Sequence, residues 1–262
     1  MRRRLVGARR RSPRTLAHGA ALRVDGYRRP VTGPADIHDY GSDIYTEAAR
    51  NEDTLANLGP LRRLAGIWTS AIGADAHPVG PGSDVTGPVI DGDEHNDFVE
   101  RYELQPIDPQ TNGPQLFYGL RYHTHIVKPG EVETFHDQVG YWLWEPAART
   151  VLLSLAIPRG QVVLAAGIAE PEAREFEVSA VLGSEVYGIL SNPFLDRAFQ
   201  TVSFRIHVTV NHDGTWSYEE HTQIRIPDRE ALVDHVDRNT LKRIGEPTPN
   251  PKAAGWWRSG PR

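Results

Sequence analysis

Apolar and polar residues alternate along most of the chain after Leu64, as in strands that bury one face. The clearest example is the segment 201–212, in which every second residue from Val202 to Val210 is apolar. The turn-forming residues 211–214 follow directly, and a second alternating run begins at Thr215. A period of two over five apolar positions, followed by such a turn, predicts a β-hairpin.

The same pattern predicts ten strands, and most of the gaps between them are short. Consecutive strands with short connections pair antiparallel, so ten of them in series favour an all-β, ten-stranded antiparallel up-and-down β-barrel that is wide enough to hold a ligand. Only the gap 184–200 is long enough for a helix or a lid. The predicted strands are 64–73, 96–105, 114–126, 134–145, 150–157, 160–168, 174–182, 201–212, 215–225 and 232–243.

Two of these strands, 150–157 and 160–168, are apolar on both faces. A barrel strand that is apolar on its outer face needs something to cover it. The sequence leaves three candidates for that cover, namely the segment 184–200, a short N-terminal helix or a second copy of the chain. A homodimer is therefore one expectation.

The predicted barrel domain spans 60–245 and is flanked by segments of different composition. Residues 1–44 are rich in Arg, Gly and Pro without any sustained period, which predicts a disordered arm. Residues 45–60 suit a short helix that is capped by Thr46 and ended near Gly59. Residues 246–262 form a C-terminal tail.

Charge and composition exclude several functions. The net charge is −5, but residues 1–30 hold ten Arg and one acidic residue, so the rest of the chain carries about −14. Such a body is a poor partner for nucleic acid. The absence of Cys excludes thiolate catalysis and Cys-ligated metals. No apolar run is long enough to span a membrane as a helix, and we expect a cytoplasmic protein.

The stretch from His136 to Gly167 resembles the nitrobindin family of small heme-binding β-barrels, which are similar in shape to lipocalins and fatty-acid-binding proteins. Leu64–Trp68 resembles the opening strand of that family, and Leu232–Arg243 resembles its last strand, which supplies the iron ligand. The residues of the first stretch that match the family pattern are Gly140, Tyr141, Trp142, Pro146, Ala156, Pro158 and Gly160. The chain departs from the family at Ser70, Ile72, Ile157 and Asp234.

This resemblance implies a heme b inside the barrel, with His235 as the ligand of the iron. It further implies nitric oxide binding and peroxynitrite isomerisation at a ferric heme. Trp68, Tyr141, Trp142 and Ile157 are the other residues expected at the ligand, although Tyr141 and Trp142 point to opposite faces of one strand. A heme-free carrier of fatty acid or another small apolar ligand is the alternative.

Strict alternation along the last strand places Asp237 on the same face as His235. An unpaired carboxylate inside the barrel is costly, so we expect a β-bulge near Val236–Asp237 that turns Asp237 outward. A bulge of this kind would also let Asp234 or Asp237 reach the ring of His235 as a hydrogen-bond acceptor.

A cupin-like metal site is the third possibility. His123 and His125 lie two apart on one predicted strand, and Glu131 or Glu133 and then His136 follow, a set that suits zinc, iron or manganese. However, Tyr118, Leu120 and Tyr122 form the more apolar face of this strand. We therefore expect His123 and His125 to face outward.

Overall fold

The computed structural model describes residues 38–70, 72–79, 87–90 and 93–249. Within these residues, fourteen strands join into one sheet. The strands are β1 (Gly66–Thr69), β2 (Gly73–Pro78), β3 (Val89–Ile90), β4 (Asp93–Pro106), β5 (Gln110–Asn112), β6 (Gln115–Val127), β7 (Thr134–Glu145), β8 (Thr150–Ile157), β9 (Gln161–Ile168), β10 (Glu175–Leu182), β11 (Gly188–Ser191), β12 (Gln200–Val210), β13 (Trp216–Arg225) and β14 (Val233–Gly245).

The sheet closes into a ring. β4, β6, β7, β8, β9, β10, β12, β13 and β14 pair antiparallel in sequence order, and β1 and β2 bridge β14 back to β4. All ten predicted strands are present, so the all-β barrel class is confirmed. Alternate side chains of each strand consequently point into a common interior.

Four strands were not predicted, and β2 is the important one. β1 stops at Thr69, yet β2 resumes on the same two neighbours, β4 and β14. Ser70 lies at the break, where its backbone N–H and its side-chain oxygen both bond to the backbone of Glu100. β11 forms the one parallel pair of the described sheet, beside β10.

One end of the barrel is filled by aromatic residues. Trp68, Trp142, Trp144 and Trp216 are each at most 2% exposed. Trp68 and Trp216 pack edge to face with ring centroids 6.2 Å apart. Leu58, Leu61 and Leu64 from the preceding segment complete this core. The packed end leaves the opposite part of the interior open.

The predicted helix at 45–60 is wrong over most of its length. Residues 45–53 are not helical, α1 covers only Thr54–Asn57, and a 3₁₀ helix follows at Gly59–Leu64. Asp53, not Thr46, caps the first turn. The barrel holds this segment in an open form, because Ala48 bonds to the carbonyl of Gly113 and Asn51 to the hydroxyl of Tyr118.

The segment 184–200 contains β11 and a short helix, α2 (Pro193–Ala198), capped by Asn192. Ser184, Glu185, Val186 and Gly188 line a groove of about 980 Å³ on the outer face of β7, β8 and β9. Val139, Tyr141, Val162 and Leu164 are 37–47% exposed there. The segment thus covers this apolar face only partly.

Neither helix of the described residues has the length and apolar character needed to cross a membrane. The predictions for the Arg-rich arm and the C-terminal tail fall mostly on 1–37 and 250–262, which lie outside the described residues.

Candidate functional site

The open part of the barrel is a cavity of about 670 Å³, a size typical of ligand sites. Its walls combine apolar side chains with an unusual number of titratable groups. The apolar lining includes Phe98, Ile126, Phe135, Leu153, Phe199, Ile206, Ile224, Ile226 and Val233. The titratable lining includes Asp75, His77, Glu100, His136, Arg159, Glu220, Arg229, His235 and Asp237.

Six polar side chains form two rows across three neighbouring strands of the inner wall. In one row, β4, β2 and β14 contribute Asn96, Asp75 and Asp237, which are direct cross-strand partners. In the next row, the same register aligns Glu94, His77 and His235. We call this set the polar wall. It follows from strand alternation, since residues two apart on each strand share the inner face.

Asp75 is the centre of the polar wall and is only 2% exposed. One carboxylate oxygen lies 2.5 Å from Nε2 of His235, and the other lies 3.0 Å from Nδ1 of His77. Asn96 donates to Asp75 at 3.2 Å. The rings of His77 and His235 stand nearly perpendicular, with centroids 5.5 Å apart. The two imidazoles therefore converge on one carboxylate.

Acidic neighbours control the charge of His235. Burial alone lowers its pKa, but the hydrogen bond to Asp75 and the charges of Asp237 and Asp75 raise the pKa to about 9. Burial acts to raise the pKa of Asp75, yet His235 and Asn96 hold it at about 2. The His235–Asp75 pair is thus ionic at neutral pH.

The predicted bulge near Val236–Asp237 is wrong, because β14 pairs with β13 in continuous register through this region. Asp237 faces inward beside His235, 3.6 Å from its Nε2. Burial raises the pKa of Asp237 to about 7 and that of the neighbouring Glu220 to about 8. The barrel accommodates Asp237 by placing it beside His235 and by raising its pKa, so the strand does not need to be distorted.

Glu100 is a further buried carboxyl group, 1% exposed. It accepts hydrogen bonds from Thr124 at 2.6 Å, Asn239 at 2.7 Å and Tyr218 at 2.9 Å. Burial raises its pKa despite these three donors. Glu100 links β4, β6, β13 and β14 below the polar wall.

The residues predicted from the sequence are distributed differently. His235 lines the cavity, whereas Trp68 and Trp142 belong to the packed end. Ile157 packs against the edge of the core. The prediction that Tyr141 contacts the ligand is wrong. Tyr141 lies on the outer face of β7 and lines the outer groove, because alternation along the strand turns its neighbour Trp142 inward.

The cupin-like set does not come together. His123 and His125 face outward, as expected, and bond to Asp137 at 2.9 Å and Thr134 at 3.0 Å. Tyr118, Leu120 and Tyr122 are buried on the opposite face. His136 lies on the cavity side instead. Glu131 and Glu133 are exposed and line neither the cavity nor the outer groove.

Sequence reasoning missed Asp75 and His77. Both belong to β2, which was not predicted, because the run Gly73–Pro78 contains only small and polar residues. The one available signal was their spacing of two, which places both side chains on the same face if the segment is a strand. Of the carboxylates considered as partners for His235, Asp234 instead bonds to His221 on the outer face.

The family model described as "THAP4-like, heme-binding beta-barrel domain" matches residues 57–243, which include all of the polar wall. The chain belongs to this family. The match agrees with the nitrobindin resemblance of the sequence and with the closed ring of strands. As a member of this heme-binding β-barrel family, the chain has a barrel interior suited to a small ligand.

A solved structure, Rv2717c from M. tuberculosis, is similar to this chain with 20% identity and a TM-score of 0.46. The similarity covers 72% of this chain and 96% of that one. None of the curated proteins matches.

Proposed function

We propose that this member of the heme-binding β-barrel family binds heme b in its interior cavity, with His235 as the ligand of the iron. The observation that carries the proposal is the position of His235, whose ring lies on the cavity wall with a carboxylate partner on one nitrogen. Metal-binding histidines commonly donate their second ring N–H to a carboxylate, which fixes the ring and its tautomer. Asp75 would have this role.

The rest of the cavity also fits a heme. Phe98, Phe135 and Ile206 provide apolar surface for a flat macrocycle. Arg159 and Arg229 line the same cavity, and guanidinium groups pair well with carboxylates such as the heme propionates. Nδ1 of His235 has no hydrogen-bond partner among the described residues, so this nitrogen can ligate iron once the iron has displaced its proton.

A heme held by His235 would supply the iron chemistry needed for nitric oxide binding and for the isomerisation of peroxynitrite to nitrate. The chain itself contributes a ligand held in place by Asp75 and apolar walls that exclude water.

Hemin titration of the purified protein tests the proposal. We expect a shifted Soret band at one heme per chain, and we expect His235→Ala to lose it. His221→Ala is the matched control, because His221 forms a comparable pair with Asp234 at 2.8 Å but faces outward. It should leave the Soret band unchanged, as should His123→Ala.

Two results would contradict the proposal. One is a wild-type protein whose added hemin shows no Soret shift, and the other is a His235→Ala variant that binds hemin as the wild type does. If mass spectrometry of the purified protein then finds bound fatty acid, the barrel is a carrier of small apolar ligands.

A further inference from the structure

The polar wall brings together three side chains whose donor atoms suit a metal ion. The ligand atoms of Asp75, His77 and His235 all lie within 4.8 Å of one another. Three ligands of a tetrahedral zinc ion, with bonds of about 2.0–2.1 Å, lie about 3.3 Å apart. Small side-chain rotations are therefore enough to form such a site, and the strand backbones need not move.

We propose that Asp75, His77 and His235 bind one divalent first-row transition metal ion, directly and without heme. Two imidazole nitrogens and one carboxylate favour ions such as Zn²⁺, Fe²⁺ or Mn²⁺ over Mg²⁺ and Ca²⁺, which prefer oxygen ligands. The site shares His235 and Asp75 with the proposed heme function, so the metal ion and heme are alternative occupants of the same wall. His77 has no part in heme ligation and is the residue that distinguishes the two proposals.

The geometry around the three ligands supports binding. Asp75 already bridges the two rings, one carboxylate oxygen to each, so a cation between them replaces two hydrogen bonds with metal bonds. Nε2 of His77 lies 3.6 Å from a carboxylate oxygen of Glu94. If Nδ1 of His77 binds the metal, Glu94 is placed to accept from the other ring nitrogen, the usual outer partner of a metal-binding His.

Access and charge support the same conclusion. The side chains of His77 and His235 are each about one third exposed, and both line the cavity. Among the described residues the three ligands come from two neighbouring strands, β2 and β14, which leaves coordination positions open to the cavity for water or a substrate. The carboxylate of Glu94 borders His77 and adds negative charge, which attracts a cation.

Calorimetric titration of the heme-free, chelator-treated full chain with Zn²⁺ tests the inference. We expect one ion per chain and a loss of affinity of at least about 100-fold in His77→Ala. Co²⁺ gives a second readout, since its visible absorption reports ligand geometry and the chain contains no Cys to add thiolate bands. Mg²⁺ should produce neither signal.

His123→Ala is the matched control, because His123 also lies beside a carboxylate but on the outer face. It should keep wild-type affinity. His77→Gln provides a second variant, and circular dichroism checks that both His77 variants fold. Hemin titration separates the two proposals. His77→Ala should keep the Soret band, whereas His235→Ala should bind neither hemin nor Zn²⁺.

The inference is overturned if the wild type binds no Zn²⁺. It is equally overturned if folded His77→Ala and His77→Gln bind Zn²⁺ as the wild type does, or if His123→Ala weakens binding as strongly as His77→Ala. None of these outcomes would alter the hemin result.

Discussion

Tyr218 donates a hydrogen bond to the carboxylate of Glu100 across the barrel interior, at 2.9 Å, although the two residues are 118 positions apart. The same oxygen accepts from Asn239, and the other oxygen accepts from Thr124. A single buried carboxyl group therefore ties together strands from both ends of the chain.

Glu100→Ala should lower the free energy of unfolding by about 3 kcal/mol or more, because it leaves three buried donors without an acceptor. Glu100→Gln should cost clearly less, since it keeps one acceptor oxygen and resembles the neutral form that burial favours. Urea unfolding of both variants checks this. Glu103→Ala, on the partly exposed outer face of the same strand, should change stability by no more than about 0.5 kcal/mol. A Glu100→Ala change as small as this would contradict the structural role.

Glu145 makes stability depend on pH. It is 5% exposed, one of its carboxylate oxygens has no hydrogen-bond partner among the described residues, and burial raises its pKa to about 7. Between pH 4.5 and 7 the folded state holds this proton and the unfolded state does not, so stability falls as the pH rises through that window. Each unit of pKa difference contributes about 1.4 kcal/mol.

Glu145→Gln should remove this dependence. Thermal unfolding from pH 4.5 to 7.5 should show a smaller decline in the variant than in the wild type. Identical pH profiles for the two proteins would show that Glu145 ionises as it does in the unfolded chain.

Gly140 cannot accept a side chain. A Cβ at this position would overlap the backbone carbonyl of Ser154 on the neighbouring strand β8 and contact the ring of Tyr122 at 3.0 Å. Gly140→Ala should therefore destabilise the protein by about 2–3 kcal/mol, the cost of overpacking. Val139→Ala, one residue away and 47% exposed, should stay within about 1 kcal/mol. Equal midpoints of denaturation for the two variants would argue against a close approach of β7 and β8.

Tyr141 should have no part in binding a ligand in the cavity. Because its side chain is on the outer face of β7, Tyr141→Ala should bind hemin with the wild-type Soret maximum and affinity. A shifted maximum or weakened binding in a hemin titration would mean that the ligand lies in the outer groove.

The fold could be predicted from the sequence because alternation is a local signal. In β12 the buried residues Phe204, Ile206 and Val208 alternate with polar neighbours, and this pattern alone gave the strand and its inner face. The conformation of residues 45–60 could not be predicted from a local pattern. These residues favour a helix in isolation, but bonds to Gly113 and Tyr118, distant in sequence, hold the segment open.

Only part of the candidate site could be predicted from the sequence, again because sequence patterns carry local information. His235 was found through family resemblance, and alternation correctly placed Asp237 beside it. The bulge was inferred from the cost of an unpaired carboxylate. That inference failed because Asp237 is not unpaired: it lies beside His235 of its own strand and Asp75 of β2. Asp75 is 160 residues from His235, and nothing local in the sequence indicates that they meet.

The closure of the ring between β2 and β14 has a consequence for the order of events during protein synthesis. Domains form as the chain emerges from its N-terminal end, and the contact between Asp75 and His235 must wait until nearly the whole barrel has been translated. Before then the first strands have no partner on one side, and no pocket exists. Loading of any prosthetic group or ion is therefore a late, post-translational step, and the growing chain must keep its apolar strands from associating with other chains until that point.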